Sequence, residues 1–431
     1  WSIMSKFGCP ARFIKITREF HDGMQARVQD GTALSSSFNV SNGVKQGCVL
    51  APTLFSLMFS AMLTDAYQGE DTGIKLRYRT DGKLFNLRRL QAKTKVAYTT
   101  VNDLLFADDC ALNSHSSEEM QRNVDLFANA CTNFGLTIST KKTEVLHSPA
   151  PGQTYTEPCI KIGNDNLTVC NKFTYLGSTI AQSANIDSEV SNRIAKASAA
   201  FGRLRNSVWR RRGLKNSTKV KVYRAVVITT LLYGSETWTV YSRHAKQLNS
   251  FHLRCLRTIM GIKWQQKIPD TEVLSRANMT SIFAMLKFIQ FRWAGHVRRM
   301  PDNRLPKQLL YGELTSGKRS QGGQKKRFKD ALKANFKQCS IPHTNWEEMA
   351  DDRHTWRSAT RVGVKRYEEK RIISCQEARQ RRKQSQDLTR TNSNDTNNLN
   401  IQSSPSFICH QCHRTFRARI GLISHQRTHR V

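Results

Sequence analysis

The stretch that decides the fold is Leu104-Leu105-Phe106-Ala107-Asp108-Asp109-Cys110-Ala111-Leu112, in which two adjacent carboxylates separate two short apolar runs. The apolar halves predict the strands of a tight hairpin with both acids at its tip. Burial between these runs raises the pKa values of the acids unless a cation or strong donors offset their repulsion. A divalent metal that binds hard oxygens is the usual cation, so the stretch predicts a Mg²⁺ site. Asp-Asp also occurs in ordinary turns, and for the stretch alone that alternative stays open.

The residues before the acidic pair predict a loop that leads into a helix. Residues 43–55 read Gly43-Val44-Lys45-Gln46-Gly47-Cys48-Val49-Leu50-Ala51-Pro52-Thr53-Leu54-Phe55, a glycine-containing loop followed by an apolar run. Pro52 stands where the first turn of a helix tolerates proline, because the missing N–H has no partner there in any case.

The residues after the pair predict a helix and two strands. Ser116-Ser117-Glu118-Glu119 is typical of a capping box, and apolar residues then recur at helical spacing until Gly135 ends the helix. We expect a strand over Leu136–Ile138, a turn at Lys141-Lys142-Thr143 and another strand over Glu144–Leu146.

Taken in this order, the segments resemble the reverse transcriptase of non-LTR (LINE-type) retrotransposons, from residue 1 to about residue 310. The motifs that carry the resemblance are Gln46-Gly47 with Pro52-x-Leu54-Phe55, Phe106-Ala107-Asp108-Asp109, Gly135-Leu136 before Lys142-Thr143, and Tyr175-Leu176-Gly177-Ser178. The resemblance implies an RNA-directed DNA polymerase that transfers nucleotides at a two-metal Mg²⁺ site. It also implies an RNA template, a DNA primer or target, and nucleotides as partners.

The resemblance assigns a role to each motif. Asp108 is the metal-bound carboxylate and Asp109 a weaker ligand or its neighbour. Lys142 acts on the departing pyrophosphate, either as a general acid or only as a neutralising charge. The substrate-binding residues are those of the template and nucleotide pocket and of the primer grip, namely Gln46, Gly47, Pro52, Phe106, Tyr175 and Gly177. A glycine such as Gly47 lets the backbone approach a substrate closely.

One part of the family pattern is missing from these residues. Family members carry a further catalytic Asp in a segment that reads roughly Ala-Phe-Asp, and it bridges both metals. No such segment occurs here, and the opening residues Trp1 to Pro10 resemble the stretch that follows it. We therefore expect a truncated polymerase fragment without fingers or endonuclease. The alternatives are a non-enzymatic, zinc-dependent nucleic-acid-binding protein derived from a retroelement, and a pseudogene product.

Composition limits the class of partner. A formal net charge of +35 and a pI near 10.2 over 431 residues predict binding to a polyanion, with nucleic acid ahead of a membrane surface because no basic amphipathic anchor is evident. The longest apolar stretch, Val49 to Leu63, is too short to span a bilayer. Eleven cysteines are an odd set that favours free thiols. We expect a protein of the nucleus or cytoplasm that is not secreted and has no membrane partner; the oligomeric state stays open.

The chain as a whole predicts an α+β fold. We expect a partial right-hand palm at residues 1–182, a helical thumb and extension at 183–314, a basic helical region at 315–383, a flexible linker at 384–406 and a ββα zinc finger at 407–431. Within the first segment, hairpins are expected to turn at Asp30-Gly31 and over residues 163–166.

The helical region combines basic clusters with tryptophans. Trp209, Trp238, Trp264 and Trp293 accompany arginine-rich stretches, as in grooves that track phosphates and stack bases, although any single tryptophan is more often core. The run Arg292-Trp293-Ala294-Gly295-His296-Val297-Arg298-Arg299-Met300 resembles a stretch that is common in such retroelements, and the sequence assigns it no chemistry.

The C-terminus carries the most specific motif. Cys409-x2-Cys412-x12-His425-x3-His429, with Phe416 and Leu422 at the two apolar positions, predicts a structural Zn²⁺ site. The positions that face bases in such fingers fall on Ala418, Gly421 and Ser424, none of which makes a bidentate base contact. Arginines surround them, so we expect a phosphate-gripping or RNA-contacting unit with little sequence selectivity.

Overall fold

The structure is a computed structural model that describes residues 1–41, 43–44, 47–70, 72–150, 152–317, 322, 324–397, 407–416, 418–426 and 429, with the backbone alone for 386–397. It consists of two compact units, Trp1–Glu368 and Glu369–Val431, which are described separately. Both helices and strands are present, as the α+β prediction requires. None of the described helices combines the length and the apolar character of a bilayer span.

The strands are short, and most form two-stranded hairpins. They are β1 (Gln25–Ala26), β2 (Gln29–Asp30), β3 (Ala33–Leu34), β4 (Phe38–Asn39), β5 (Ile74–Tyr78), β6 (Ala97–Val101), β7 (Asp103–Phe106), β8 (Asp109–Leu112), β9 (Glu144–Val145), β10 (Lys161–Ile162), β11 (Asp165–Asn166), β12 (Thr168–Val169), β13 (Lys172–Tyr175), β14 (Ser178–Ala181), β15 (Gly312–Leu314), β16 (Phe407–Ile408) and β17 (Thr415–Phe416).

The described helices range in length from three residues in α7 to 45 residues in α14. They are α1 (Ser2–Lys6), α2 (Ala11–Glu19), α3 (Ala51–Tyr67), α4 (Ser117–Asn133), α5 (Asp187–Arg203), α6 (Asn216–Val222), α7 (Thr229–Leu231), α8 (Ser242–Met260), α9 (Asp270–Arg276), α10 (Ile282–Arg298), α11 (Leu305–Tyr311), α12 (Phe328–Gln338), α13 (Trp346–Asp351), α14 (Arg353–Asn397) and α15 (Arg419–Gln426). A π-helical segment, Tyr223–Ile228, joins α6 to α7, and short 3₁₀ or π turns lie at 87–91, 205–209, 235–237 and 264–266.

Two predicted helix starts are confirmed. Pro52 lies in the first turn of α3, and the Ser116 side chain accepts a hydrogen bond from the Glu119 N–H at 3.2 Å to cap α4. The Glu119 carboxylate accepts a hydrogen bond at 3.2 Å from the N–H of His115, the residue before the cap, and not from the Ser116 N–H as in a capping box. Gly135 follows α4 with φ of 69°, a conformation that glycine adopts without strain.

Helices α3 and α4 form the support for the acidic stretch. Met62 of α3 and Cys131 of α4 are buried together, and Cys110 and Leu112 of β8 pack against the same small cluster. The stretch Leu136–Ile138 contributes side chains to this cluster but is not a strand, in contrast to the prediction.

The strands after α4 also pair differently from the prediction. The turn that joins β10 to β11 consists of Gly163 and Asn164 alone, because residues 165–166, predicted as part of the turn, form β11 and pair with β10. Strand β12 pairs in parallel with β9. The hairpin predicted at Asp30-Gly31 is present, with β2 and β3 as its strands.

The central helices α5 to α10 enclose the largest core of the chain. Twenty-three buried residues, from Val190 to Leu286, belong to it. Trp209 and Trp238 are each 4% exposed and lie in this core, whereas Trp264 is 82% exposed. Two of the four tryptophans associated with basic clusters are therefore core residues.

Residues 315–383 carry basic charge and also contribute to a hydrophobic core. Phe336, Trp346 and Trp356 build a second core that also buries Leu84 from the N-terminal part of the chain. Strand β15 pairs with β5, and the Glu347 carboxylate accepts a hydrogen bond from the Leu84 N–H at 2.7 Å. These contacts join segments that lie more than 200 residues apart, which no local pattern indicates.

Helix α14 continues into the segment predicted as a linker. The predicted linker covers residues 384–406, but the backbone is helical as far as Asn397. Between Val364 and Ser404 the sequence has neither glycine nor proline to end a helix, so the polar composition does not interrupt it. Residues 398–406 lie outside the described residues.

Candidate active site and metal centre

The acidic stretch forms the predicted hairpin. Strands β7 and β8 are antiparallel, and Phe106 pairs with Asp109, so Ala107 and Asp108 are the two residues of the turn. Ala107 has φ of 52°, a positive value that the favoured two-residue hairpin turns require at their first position. Asp108 and Asp109 therefore lie at the tip of the hairpin, as the sequence predicts.

Both carboxylates are exposed, which corrects the expectation that apolar burial encloses them. Asp108 lies in the two-residue turn beyond the last strand pair, and Asp109 belongs to that pair with Phe106, which is itself 62% exposed. Only alternate residues of β8 face the helices α3 and α4. Among the described residues, no cationic side chain lies within ion-pair distance of Asp108 or Asp109. Two unpaired, exposed carboxylates offer the hard oxygen ligands that Mg²⁺ prefers, so this tip fits the ion as part of a ligand set.

Burial raises the pKa values of two groups below the tip. Burial, followed by the charges of Cys131, Asp103 and the tip aspartates, raises the pKa of Cys110 to about 12. Burial also raises the pKa of Asp103. The hairpin therefore presents exposed carboxylates at its tip, whereas burial disfavours charge on the groups nearer the helices.

A second hairpin lies directly beside the first. Strands β13 and β14 meet in a two-residue turn, Leu176-Gly177, whose φ values of 48° and 78° are both positive. The Tyr175 hydroxyl donates a hydrogen bond to the carbonyl of Leu104 in β7 at 2.9 Å. The pKa of Tyr175 is raised by burial and then by Cys110 and Asp109, which places this ring near the acidic hairpin. The structure thus brings Tyr175 and Gly177 to the predicted site.

The turn of the second hairpin is held by residues that sequence reasoning missed. Arg193 of α5 donates to the carbonyl of Gly177, and the Tyr233 hydroxyl donates to the carbonyl of Leu176 at 3.0 Å. The Arg193 guanidinium lies 4.5 Å from the centre of the Tyr233 ring and pairs with Glu189 at 2.7 Å, both charged side chains being almost fully buried. The spacing of Glu189 and Arg193, four residues apart on one helix, is the signal that could have indicated this pair.

Among the described contacts, none joins the remaining predicted site residues to the tip of the acidic hairpin. Lys142 is exposed in a turn, where its N–H donates to the carbonyl of Ser139 at 3.0 Å, and no described contact joins its side chain to Asp108 or Asp109. Gly47 is exposed with φ of 86°. Gln46 lies outside the described residues.

The four residues of the C-terminal motif converge. One ligand atom from each of Cys409, Cys412, His425 and His429 lies within 4.8 Å of the others. A tetrahedral Zn²⁺ with thiolate and imidazole ligands separates its ligand atoms by about 3.3 to 3.8 Å, so this cluster is of the right size. The Phe416 ring lies 4.9 Å from that of His425 and covers one side.

The electrostatics of this cluster favour the metal-binding protonation states. A hydrogen bond from the backbone N–H of Gln411 lowers the pKa of Cys409, which favours the thiolate. Partial burial, His429 and Arg414 lower the pKa of His425, which favours the neutral imidazole. Both changes suit a Cys2His2 zinc centre, because zinc takes deprotonated ligands.

Comparison with known proteins agrees with the geometry of the acidic hairpin. Residues 1–180, which contain both hairpins, match the family model described as reverse transcriptase (RNA-dependent DNA polymerase). The N-terminal part of the chain is therefore a reverse transcriptase domain of the kind found in non-LTR retrotransposons, and it belongs by family to the nucleotidyltransferases.

Individual relatives are transposon proteins. A putative uncharacterized transposon-derived protein of Caenorhabditis elegans is 27% identical over 282 residues, which are 61% of this chain and 95% of that one. The RNA-directed DNA polymerases from the mobile element jockey of Drosophila funebris and Drosophila melanogaster are 22% and 21% identical over 273 residues. The matched residues are 61% of this chain and span about a quarter, 26%, of each jockey polymerase.

Proposed function

We propose that the chain is the palm, thumb and zinc-finger portion of a non-LTR retrotransposon polymerase that copies RNA into DNA. In this proposal residues 1–182 form the palm, 183–314 the thumb and extension, and 407–431 a ββα finger. The observation that carries the proposal is the pair of exposed, unpaired carboxylates, Asp108 and Asp109, at a two-residue turn inside the reverse transcriptase domain.

The proposal assigns a separate role to each group of site residues in the chain. Asp108 and Asp109 would hold Mg²⁺, with Asp108 as the main ligand. When bound, the metal lowers the pKa of the primer hydroxyl and balances charge on the departing oxygen. The Leu176-Gly177 turn, fixed through both of its carbonyls, would position the primer end beside Tyr175. Gln46 and Gly47 would face the template and nucleotide, and Lys142 would neutralise pyrophosphate.

A complete two-metal site needs more carboxylate than this tip supplies. The bridging ligand of the family lies in a segment that resembles Ala-Phe-Asp, which residues 1–431 do not contain. We therefore expect primer extension to increase when the corresponding segment of a jockey-type relative is fused ahead of Trp1.

The test is Mg²⁺-dependent extension of a DNA primer on an RNA template by the chain and by this fusion. Asp108→Asn should reduce extension by roughly 10³-fold, because a carboxylate ligand of a catalytic metal contributes several kcal/mol. Asp65→Asn is the matched control, since Asp65 is an exposed aspartate of α3 without a described partner, and it should stay within about twofold. Equal activity of the Asp108→Asn and unaltered proteins would contradict the proposal, as would failure of both chain and fusion to extend.

A second candidate function is zinc-dependent nucleic-acid binding without catalysis. The convergence of Cys409, Cys412, His425 and His429 supports it, together with the net charge of +35. This function requires one zinc ion per chain and RNA binding that survives Asp108→Asn but weakens in Cys409→Ser. The eleven cysteines, all described and none in a disulfide, support a site of action in the nucleus or cytoplasm.

A further inference from the structure

A basic cleft lies between α10 and the first turns of α14, on residues that the polymerase proposal does not use. Its volume is about 680 Å³. Five arginines and a single acid, Glu236, line it together with aromatic and apolar residues. One wall carries four residues of the Arg292 to Met300 run, to which the sequence alone assigned no chemistry: Arg292, Trp293, His296 and Arg299. The arginines are Arg292, Arg299, Arg353, Arg357 and Arg361.

The two walls are held at a fixed distance by a glycine–tryptophan contact. Trp356 of α14 is 3% exposed, and its indole N–H donates to the carbonyl of Phe291 in α10 at 2.9 Å. A Cβ on Gly295 would lie only 2.1 Å from the Trp356 nitrogen, so the helices can approach this closely only with glycine at 295. Gly295 therefore allows Trp356 to pack closely against α10, and Trp356 forms the floor of the cleft.

The arginines of α14 form a ladder along the other wall. Arg353, Arg357 and Arg361 recur every fourth residue, so they share one helix face with about 6 Å of rise between neighbours. All three are exposed, and among the described residues none lies within ion-pair distance of a carboxylate. Such a ladder can contact successive phosphates of one strand.

In the part of the chain that the structure describes, the arginines of the cleft lack carboxylate partners, whereas an arginine just outside the cleft has one. Arg298, on the adjacent face of α10, makes a bidentate pair with Asp351 at 2.9 and 3.0 Å. Arg299, in the cleft, donates instead to the carbonyl of Ala350, and the pKa of its guanidinium is lowered by burial and then by Arg353. Arg292, across the cleft, lies against the Phe288 ring, 5.9 Å from its centre. Positive charge is thus concentrated in the cleft, where Glu236 is the single acid among the lining residues, while Asp351 and Asp352 act on Arg299 from outside the lining.

An aromatic platform accompanies the charge. Trp293 is partly exposed in the cleft, and its ring lies 5.7 Å from that of His296 at an angle of 53°. Base stacking on an aromatic ring beside a basic strip is how proteins bind single-stranded nucleic acid. A membrane surface would not use a recessed indole in this way, and a duplex keeps its bases stacked and out of reach.

We propose that this cleft binds single-stranded nucleic acid, with an unpaired base on Trp293 and successive phosphates on Arg353, Arg357 and Arg361. The site is formed by residues 236–361 alone, and it does not rest on the polymerase proposal. RNA and single-stranded DNA share the chemistry that the cleft recognises, so both are included in the test.

The experiment measures binding of labelled oligouridylate and oligothymidylate, each of about 12 nucleotides, to the full chain carrying Asp108→Asn and without Mg²⁺ or nucleotides. Polymerase activity cannot influence this measurement, so the two proposals fail separately. Arg357→Gln with Arg361→Gln should weaken binding about tenfold at moderate salt and reduce the slope of log K against log salt by about 1.4, since each single-strand phosphate contact contributes about 0.7.

The matched control is Arg366→Gln with Lys370→Gln. These residues are also exposed, lie on the same helix with the same spacing, and do not line the cleft. We expect less than a twofold change. Trp293→Ala should weaken binding about tenfold, Trp293→Phe should recover part of the loss, and quenching of tryptophan emission by the oligonucleotide should decrease in both.

Several results would overturn the proposal. One is an equal loss of affinity in the control pair, which would mean that total charge alone binds the strand. Another is no dependence on Trp293, or binding to a duplex or to anionic lipid vesicles that the cleft variants weaken as much as binding to the single strand. Thermal melts with unchanged midpoints would show that the variants remain folded.

Discussion

The reverse transcriptase domain and the helical region after it are stabilised to very different degrees. Around the acidic hairpin, the main cluster has five buried residues from α3 and α4, and several strands are only two residues long. Between Val190 and Leu286, twenty-three residues are buried in one core. The part that carries the candidate chemistry therefore has little core of its own, and most of the apolar burial lies elsewhere.

The charged side chains of the two regions also differ, both in burial and in pairing. Asp108 and Asp109 are exposed and have no described cationic partner, whereas Arg193 and Glu189 are 5% and 3% exposed and paired. Buried Lys287, whose pKa burial lowers to about 8, donates to the amide oxygens of Asn335 and Gln338. Charges that maintain the fold are thus buried and satisfied, while charges that can bind a ligand are left open. The following predictions test this difference on one scale, the free energy of unfolding.

The largest effect is expected at the buried pair. Arg193→Met leaves Glu189 as an uncompensated buried charge and should lower the free energy of unfolding by about 4 kcal/mol. Denaturant unfolding followed by helix signal measures it. The double variant Glu189→Gln with Arg193→Met should recover much of the loss, and a single variant that costs less than about 1 kcal/mol would contradict the assignment.

A pH-dependent effect is expected from His252 in the large core. Burial lowers the pKa of His252 to about 4, and its ring accepts from the Tyr223 hydroxyl at 2.9 Å and donates to the carbonyl of Thr280. Between pH 6.5 and about 4 the unfolded chain binds this proton and the folded chain does not, so stability falls as pH falls through that window. The expected loss from pH 7 to 5 is about 2 kcal/mol.

The measurement compares unaltered protein with His252→Gln at both pH values. The carboxylates titrate alike in the two proteins, so the difference between them isolates His252. If both lose the same stability between pH 7 and 5, the ring is not held neutral by its burial.

A smaller effect is expected at the cap of α4, inside the reverse transcriptase domain. Ser116→Ala removes the acceptor for the Glu119 N–H and should cost about 1 kcal/mol. Ser116→Asp should retain the cap. Hydrogen exchange of the first turn of α4 locates the change, and equal protection in the alanine and unaltered proteins would argue against the cap.

The smallest effect is expected at the hairpin tip. Asp108→Asn removes an exposed charge without a described partner, so stability should change by less than about 0.5 kcal/mol. A loss of 2 kcal/mol or more would show that the tip is a structural element and would remove the contrast between the two regions.

The local features of the site were predictable, because each depends on residues near one another in sequence. The two-residue turn at Asp108, the first-turn Pro52, the Ser116 cap and the spacing of the four zinc ligands are of this kind. The exposure of the acids was not predictable, since apolar neighbours in a strand face two sides and only one side packs on α3 and α4. Residues 384–397 belong to the segment predicted as a flexible linker but are helical, because a polar composition does not exclude a helix.

The sequence by itself determined that the chain carries a hairpin with paired acids, a four-ligand zinc motif and enough positive charge for a polyanion. Local turn chemistry, ligand spacing and ionisable groups are properties of short segments or simple counts. Only the tertiary structure decided that Tyr175 bonds to Leu104, that Arg193 fixes the Gly177 turn, and that Gly295 admits Trp356 to form a basic cleft. Those arrangements depend on which distant segments pack together, and packing is governed by shape and burial over the whole chain.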